Sequence, residues 1–599
     1  MIHNENSRVK IPALVHLTRL GYRYIKQKDC SGAYCPKTNI FKGILRDSIN
    51  RLNGTALTEA DVDSLVEELA IKLNTDDLGR AFYRILLSGF NGLRLIDLED
   101  ESRNSYHVVT ELTYQNGEDE FRPDITLLVN GLPLAFIEVK KPNNRDGIIA
   151  EHTRMNKRFA KKVFRRFANI TQIMVFSNNM EYDDNDVEPI EGAFYASSSY
   201  EKLFFNRFRE EDPTIHSSVR PVDSNSEETI LMDNNLVTIK GTEEYALNID
   251  EHTPTNRMLT SLFAHSRFNM FLKYGFAYVE RTDKNGIKTL QKHIMRYPQF
   301  FATLAIEKKL NVGVKHGIIW HTQGSGKTAL AFHNVRYLRD YFQRQDKVAK
   351  FYFVVDRLDL LTQASEEFAA RGLHVEKVNS KEDFIKNIKT IGTSSNSGED
   401  SITVVNIQKF TEESVARKSD YDVDVQRIYF LDEAHRSYKP KGSFLANLMA
   451  SDRDAVMIAL TGTPLIGDGY NTKDVFGEYI HKYYYNRSIA DGYTLKLIRE
   501  GIKTEYRTKM QTILESLETE KGSLSKKDVY AHPKYVSALV EYIVEDFKHS
   551  RIALGDSTIG GMIVCDSSSQ AVKIEKELDK YPELTHELIL CDVEDKETR

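Results

Sequence analysis

Long apolar runs are missing from this chain. Nowhere in its 599 residues does one approach the ~20 residues needed to cross a bilayer. The N-terminal MIHNENSRVK is polar and lacks the apolar core of a signal peptide. Cysteine is scarce. Cys30, Cys35, Cys565 and Cys591 include one close pair, CSGAYC, with no second pair or histidine at zinc spacing. Free thiols in a reducing cytoplasm are therefore expected rather than a disulfide scaffold. An excess of positive charge is missing too, since the formal net charge is -6. That argues against a uniformly basic coat for DNA, although a local basic track suffices for binding. Fixed-period repeats and low-complexity blocks are absent. What remains reads as a soluble intracellular protein whose 41% hydrophobic residues can bury several cores, over roughly four domain-sized units.

Residues 1 to about 100 are expected to be mainly helical. Thr58 with Asp61 forms a capping-box signature ahead of Val62, Leu65, Val66 and Leu69, which share one helical face. Strand signals then run from HVVTELTY to IMVFS, with a helical stretch between them. In that stretch RMNKRFAKKVFRRF carries Arg154, Lys157, Arg158, Lys161, Lys162, Arg165 and Arg166, while Phe159, Val163 and Phe167 recur at helical spacing. A basic amphipathic helix is expected, as a solvated face or as a phosphate contact. The polar REEDPTIHSSVRPVDSNSEE reads as an exposed excursion or a boundary. From about residue 255 the pattern becomes short apolar strands separated by helices: GIIW, KFYFVVD, ITVVNI, RIYFLDE and AVMIALTG. Such alternation marks a parallel sheet covered on both faces. A second sheet of the same kind is expected to begin near GGMIVCD at 560.

Two groups of residues carry chemistry. The first lies in FRPDITLLVNGLPLAFIEVKKP, two strands joined through the tight-turn dipeptide Asn130-Gly131. Asp124 opens the first strand. Glu138 and Lys140 lie two apart on the second and point to one face, and hairpin pairing brings Asp124 beside them. The carboxylates of Asp124 and Glu138 make a hard oxygen site suited to Mg²⁺, which polarises a scissile phosphate and helps generate hydroxide from water. Lys140 would orient that water or offset charge in the transition state. A plainer interpretation is an edge hairpin with solvated charges. Against it, Leu134, Ala135, Phe136, Ile137 and Val139 read as buried, and charges among them need a reason. Glu67, Glu68 and Glu111 stand as candidates for a fourth, upstream acid.

The second group begins with IIWHTQGSGKT, a strand, a loop of Gln323, Gly324, Ser325 and Gly326, and a helix opening at Lys327-Thr328. The glycines let backbone N–H groups wrap the phosphates of ATP, and the helix N-terminus adds a favourable dipole. Lys327 should reach the β- and γ-phosphates, and the Thr328 hydroxyl should ligate Mg²⁺. His321 occupies the place where the general pattern has its first glycine. About a hundred residues on, IYFLDEAH is an apolar strand ending in acids. Asp432 would hold Mg²⁺ and Glu433 would activate the attacking water; His435 closes the DEAH and is assigned to the nucleotide site.

DEAH followed by LTGTP, Leu460 to Pro464, resembles superfamily 2 helicases and translocases. That resemblance implies that Thr461 and Thr463 couple the nucleotide site to the nucleic-acid track. It also implies that Gln299 in RYPQFFA reads adenine, and that VVDRLDLLTQ and VVNIQKF touch the nucleic-acid backbone through Arg357 and Gln408. With RPDITLLVNGLPLAFIEVKKP, WHTQGSGKT, DEAHRS and LTGTP in this order, the chain resembles the restriction subunit of type I restriction–modification enzymes from about residue 80 onward.

The resemblance implies an α/β fold of three parts. A PD-(D/E)xK nuclease domain, a mixed sheet flanked by helices with a helical N-terminal region, spans 1–250. A first RecA-like parallel-sheet motor domain spans 251–480, and the start of a second one 481–599. The implied activity is ATP-dependent translocation of double-stranded DNA with Mg²⁺-dependent endonuclease cleavage, beside methyltransferase and specificity subunits in the cytoplasm. Two features depart from the family. The glutamine-tyrosine motif after the nuclease lysine has no match in EHTRMNKRFAKKVF, and the later motifs of the second motor lobe do not follow GGMIVCDSSSQ, so the chain reads as an N-terminal fragment. Two other readings compete: a stand-alone helicase–nuclease of DNA repair, and an ATP- and DNA-binding module with little turnover.

Overall fold

Asn130 and Gly131 take φ of 52° and 83°, the pair of positive values that a type I′ hairpin turn requires. The turn folds Ile125–Val129 back on Leu132–Val139 as an antiparallel pair, and every residue of the second strand is buried. In this computed structural model the described residues are all but 1–3, 143, 183–190, 283–284, 379, 390–399, 407–423, 435–447, 449–451, 467–470, 496–500, 502, 522–525, 555–557 and 591–599.

The hairpin is the middle of a six-stranded sheet ordered Arg23–Ile25, Tyr106–Thr110, Ile125–Val129, Leu132–Val139, Ile173–Ser177, Ala193–Ala196. Pairing is mixed, parallel at Arg23–Ile25 with Tyr106–Thr110 and at Leu132–Val139 with Ile173–Ser177. Helices cover it, including Glu59–Lys72 with its expected capping box at Thr58 and Asp61. The basic stretch is not one amphipathic helix. Arg145–Phe159 ends, Lys161 turns extended at ψ 130°, and Arg165–Ile170 follows. The break lets Phe159, Phe164 and Phe167 join Phe121, Phe136 and Phe176 in one aromatic core. Part of its charge is paired within the chain: Arg158 lies over the Phe121 ring, Lys161 faces Asp119, and Lys162 and Arg165 share Asp76, although Lys161 and Lys162 stay exposed.

Before the motor comes an unanticipated element, the antiparallel hairpin of Phe276–Thr282 with Lys288–Ile294. Its alternating FAYVERT and KTLQKHI carry the period of a half-buried pair. The motor sheet has seven strands, all parallel, in the order His374–Val378, Ser401–Asn406, Val348–Val355, Val425–Asp432, Val456–Thr461, His316–His321, Tyr479–Tyr483. The five inner strands are those read from the sequence. The two edges, HVEKV and YIHKY, are too polar to stand out as apolar runs. Parallel pairing puts the C-terminal ends of all seven on one edge, where an α/β sheet binds ligands.

Two expectations about boundaries are corrected. Met1–Lys496 forms one compact unit and Leu497–Arg599 another. A boundary at 480 would cut the Tyr479–Tyr483 strand away from the phosphate-loop strand it pairs with. None falls at 250, because one hydrophobic core runs from Val9 through Phe263, Phe271 and Phe300 to Tyr483. The polar REED stretch is likewise no exposed excursion at its start. Arg209 donates to Asp491 at 2.8 Å, and Glu210 accepts from Ser261 at 2.7 Å and from Arg267 at 3.2 Å.

In the second unit, Pro533–Leu554 and Ser568–Leu578 pack through Val536, Val540, Val544 and Ile574. Among its described residues there is no strand, so GGMIVCD is not the strand it was expected to be. Ile563 and Cys565 face the helices while Met562 and Val564 are 86% exposed. That is the alternation of a strand, but a ladder needs a second strand, and the described residues of this unit include none to pair with it.

Candidate functional site

Hairpin geometry gathers Asp124, Glu138 and Lys140. Asp124 immediately precedes its strand, and its Oδ2 accepts from the Val139 N–H at 2.9 Å, pinning it to the end of the partner strand between Glu138 and Lys140. Glu138 is 3% exposed, and Lys140 Nζ lies 3.7 Å from its Oε2. Burial, then the neighbouring Asp124 and Glu151, hold the Glu138 carboxyl well above the usual carboxylate range. Burial works against the Lys140 charge, yet Glu151, Glu138, Asp124 and Glu5 together raise its pKa.

Two of these acids escaped the sequence reading. Glu151, on the Arg145–Phe159 helix, sits 3.3 Å from Lys140 and 2.7 Å from Arg154, which in turn lies 3.6 Å from Glu138. Glu5 stands where the N-terminal helix begins. Its pKa is raised by burial and by Asp124 against the pull of Lys140, and the Lys141 backbone N–H bonds to it. The candidates named for an upstream acid do not join them. Glu67 and Glu68 are exposed on Glu59–Lys72, and Glu111 pairs with Lys10 at 2.5 Å and Arg122 at 3.6 Å. Position alone could not single out Glu5, more than a hundred residues before the hairpin. Replacing Glu5 by Ala is expected to cut DNA cleavage by the complete enzyme about 10²-fold, the scale of one lost charge-positioning group, whereas Glu68→Ala leaves it unchanged. Equal effects in a plasmid-cleavage assay would remove Glu5 from the site.

The donor set fits a hard divalent cation. Glu138 Oε1 is buried without a hydrogen-bond partner, a costly state that a cation beside it would relieve. Among the described residues, the set of three ligand atoms within 4.8 Å of one another is instead His216, Glu251 and His252, where Glu251 is already paired to Arg19 at 2.8 Å. The acids around Lys140 thus form an open site rather than a closed cage. Mg²⁺, which keeps several waters and takes one or two carboxylates, suits such a site.

At the motor's ligand edge, the Lys327–Gln343 helix is capped by Gly326 at φ 84°, and Gly324 takes φ 82°. A Cβ on Gly326 would come 2.5 Å from Gln299 Nε2. Gln299 itself donates to the Gly326 carbonyl at 3.0 Å and accepts from Arg296 N–H at 2.9 Å. Arg296 donates to the Gly324 carbonyl at 3.3 Å, and Thr494 to that of Gln323 at 3.4 Å. Side chains hold the loop's carbonyls from behind, and its tight left-handed turns make the cradle that a phosphate needs. Ser325 is buried, while Lys327 and Thr328 are half-buried at the helix start. A Gly326→Ala change meets two obstacles. The Gln299 side chain can yield, but a left-handed alanine costs roughly 1–2 kcal/mol. The expected result is at least ~10-fold weaker binding of a fluorescent ATP analogue; unaltered affinity would show that the turn is not needed.

Asp432 ends its strand facing this loop. Burial pushes its carboxyl up to about 6, Lys327 pulls it down, and Glu433 and Asp356 push it up. Glu433 takes φ 46°, unusual for a side-chain-bearing residue. The LTGTP segment touches the loop directly. Trp320 Nε1 donates to the Gly462 carbonyl at 3.0 Å, and a Cβ on Gly462 would lie 3.3 Å from Gln323 N. Thr461 is buried and accepts from Thr463 N–H at 3.1 Å. Arg357 is exposed at the end of Val348–Val355, while Gln408 and His435 lie outside the described residues.

Two family models match this chain: Type I restriction enzyme R protein N terminus over residues 2–183, and SWI2/SNF2 ATPase over residues 298–529. The first contains Asp124, Glu138 and Lys140, the second the phosphate loop, DEAH and LTGTP. Among curated relatives, the type I restriction enzyme MjaIXP endonuclease subunit of Methanocaldococcus jannaschii is 25% identical, over 97% of this chain and 55% of its own length. The SauMSSORF170P endonuclease subunit of Staphylococcus aureus is also 25% identical, over 73% of this chain and 41% of its own. The chain thus spans about half the length of the curated relatives it matches. Superposition on solved structures is loose: a fragment of an HsdR subunit from Vibrio vulnificus is 12% identical at TM-score 0.31, covering 80% of this chain and 70% of that one. With an R-protein N terminus running into a SWI2/SNF2 ATPase, the chain is similar in both parts to the endonuclease subunits of type I restriction enzymes.

Proposed function

We propose that this chain provides the nuclease and the ATP-driven motor of a type I restriction–modification enzyme, which translocates double-stranded DNA and cleaves it. The observation that carries the reading is the coexistence, in one compact unit, of buried acids around Lys140 and a phosphate loop faced by Asp432. At the nucleotide site, Gln323 to Gly326 would cradle the phosphates, Lys327 would reach the β- and γ-phosphates and Gln299 would read adenine. Thr328 and Asp432 would hold Mg²⁺, and Glu433 would take the proton of the attacking water. At the nuclease site, Asp124 and Glu138 would hold the ion, with Lys140 neutralising charge as the phosphodiester is attacked. Bound there, Mg²⁺ polarises the scissile phosphate. Sequence recognition and methylation fall to specificity and methyltransferase subunits, and the cytoplasm is the expected compartment.

The test uses the complete enzyme on a circular DNA bearing its recognition sequence. Cleavage should require both Mg²⁺ and hydrolysable ATP. Cutting that proceeds with a non-hydrolysable analogue would break the link between motor and nuclease.

A further inference from the structure

His321 stands at the mouth of the phosphate loop in place of a glycine, and nothing in the nucleotide chemistry asks for an imidazole there. It is fully buried at the end of the His316–His321 strand. Its Nε2 lies 2.7 Å from His481 Nδ1, on the neighbouring Tyr479–Tyr483 strand. His481 Nε2 in turn lies 2.7 Å from Glu211 Oε2. Glu211 belongs to the REED stretch, which follows the last strand of the nuclease sheet in sequence and which the motor and nuclease chemistry leave unassigned.

Hydrogen-bond chemistry orders this chain. A carboxylate only accepts, so His481 Nε2 carries the proton towards Glu211. Where Nε2 holds the one proton of His481, Nδ1 accepts and His321 donates from Nε2. Burial, His481 and Lys327 all keep His321 uncharged. Each proton position is fixed by the next group outward, the arrangement that orients imidazoles in catalytic and metal sites.

Deepening the ATP-site reading above and resting on it, we infer that Glu211, His481 and His321 form a hydrogen-bonded strut that sets the phosphate loop from the nuclease-side linker. Glu211 is thereby a positioning residue for nucleotide binding. Thr322, next after His321, hands its N–H to the Tyr483 carbonyl at 3.0 Å, so the strut and this bond hold the two residues that lead into the loop to one edge strand. Loop donors must be aimed to within about 0.5 Å to grip phosphate well. Arg487, 3.9 Å from the outer oxygen of Glu211 and 53% exposed, is not needed in this scheme.

The experiment is a double-mutant cycle on the full chain, read as the dissociation constant of a fluorescent ATP analogue with Mg²⁺, with a melting curve for each variant. Glu211→Ala is expected to weaken binding about 10-fold. Glu211→Gln, which keeps an acceptor, should stay within about 2-fold, and Arg487→Ala should do nothing. In a His321→Ala background, Glu211→Ala should have no further effect, because the strut is already cut. Additive losses, or loss in Glu211→Gln equal to that in Glu211→Ala, overturn the inference. If Glu211→Ala does not fold, Glu211→Ser takes its place in the cycle. Failure here is distinct from failure of the ATP site itself: if Lys327→Ala abolishes binding while Glu211→Ala changes nothing, only the strut is wrong.

Discussion

Lys327→Ala is expected to abolish ATP hydrolysis by the complete enzyme, by at least about 10³-fold, and DNA cleavage with it. Two losses combine. The ammonium at the start of the Lys327–Gln343 helix disappears, and with it the charge that meets the transferring phosphate. Asp432 also loses the cation that draws its titration down towards about 6 against burial and the push of Glu433. A carboxyl titrating higher is ionised less at neutral pH and holds a divalent ion less firmly. Lys327 is half-buried at a helix end, so the fold should survive. Steady-state ATPase with and without DNA, beside a melting curve, checks this. Retained hydrolysis would mean that the phosphate loop lies elsewhere.

Asp124→Asn is expected to stop cleavage by about 10³-fold or more while leaving ATP hydrolysis within about 2-fold. Asparagine keeps an oxygen that can accept from the Val139 N–H, now made at 2.9 Å, so the hairpin end stays closed and only the charge is removed. Asp124→Ala loses the bond as well and strands a buried backbone donor, at a cost of about 1–3 kcal/mol. Comparing the two separates chemistry from folding. Should Asp124→Asn still cut DNA at the wild-type rate, the metal site assigned to the hairpin is not the nuclease centre. Loss of ATP hydrolysis as well would show instead that the two sites are not separable.

Much of this was legible in local pattern. Asn130-Gly131 dictates a type I′ turn because few residues tolerate two successive positive φ values, and that turn, with a register shift between Leu127 and Leu128, brings Asp124 within 2.9 Å of the Val139 N–H. The strands KFYFVVD, RIYFLDE and AVMIALTG betray themselves because an inner parallel strand is buried on both faces and must be apolar throughout. Edge strands have no such signature. HVEKV and YIHKY escaped notice for that reason, and the boundary at 480 was misplaced with them.

The amino-acid sequence by itself determined the hairpin, the phosphate loop and the order of strands and helices, because each is set by residues close together in the chain. Only the tertiary structure brought Glu5 and Glu151 to Lys140, bound the REED stretch to the motor and set Arg165 against Asp76 and Arg158 over Phe121. The physical reason is common to all three. A buried or half-buried charge must find an opposite charge or a hydrogen-bond partner, and packing of the folded chain, not nearness in sequence, decides which partners are within reach.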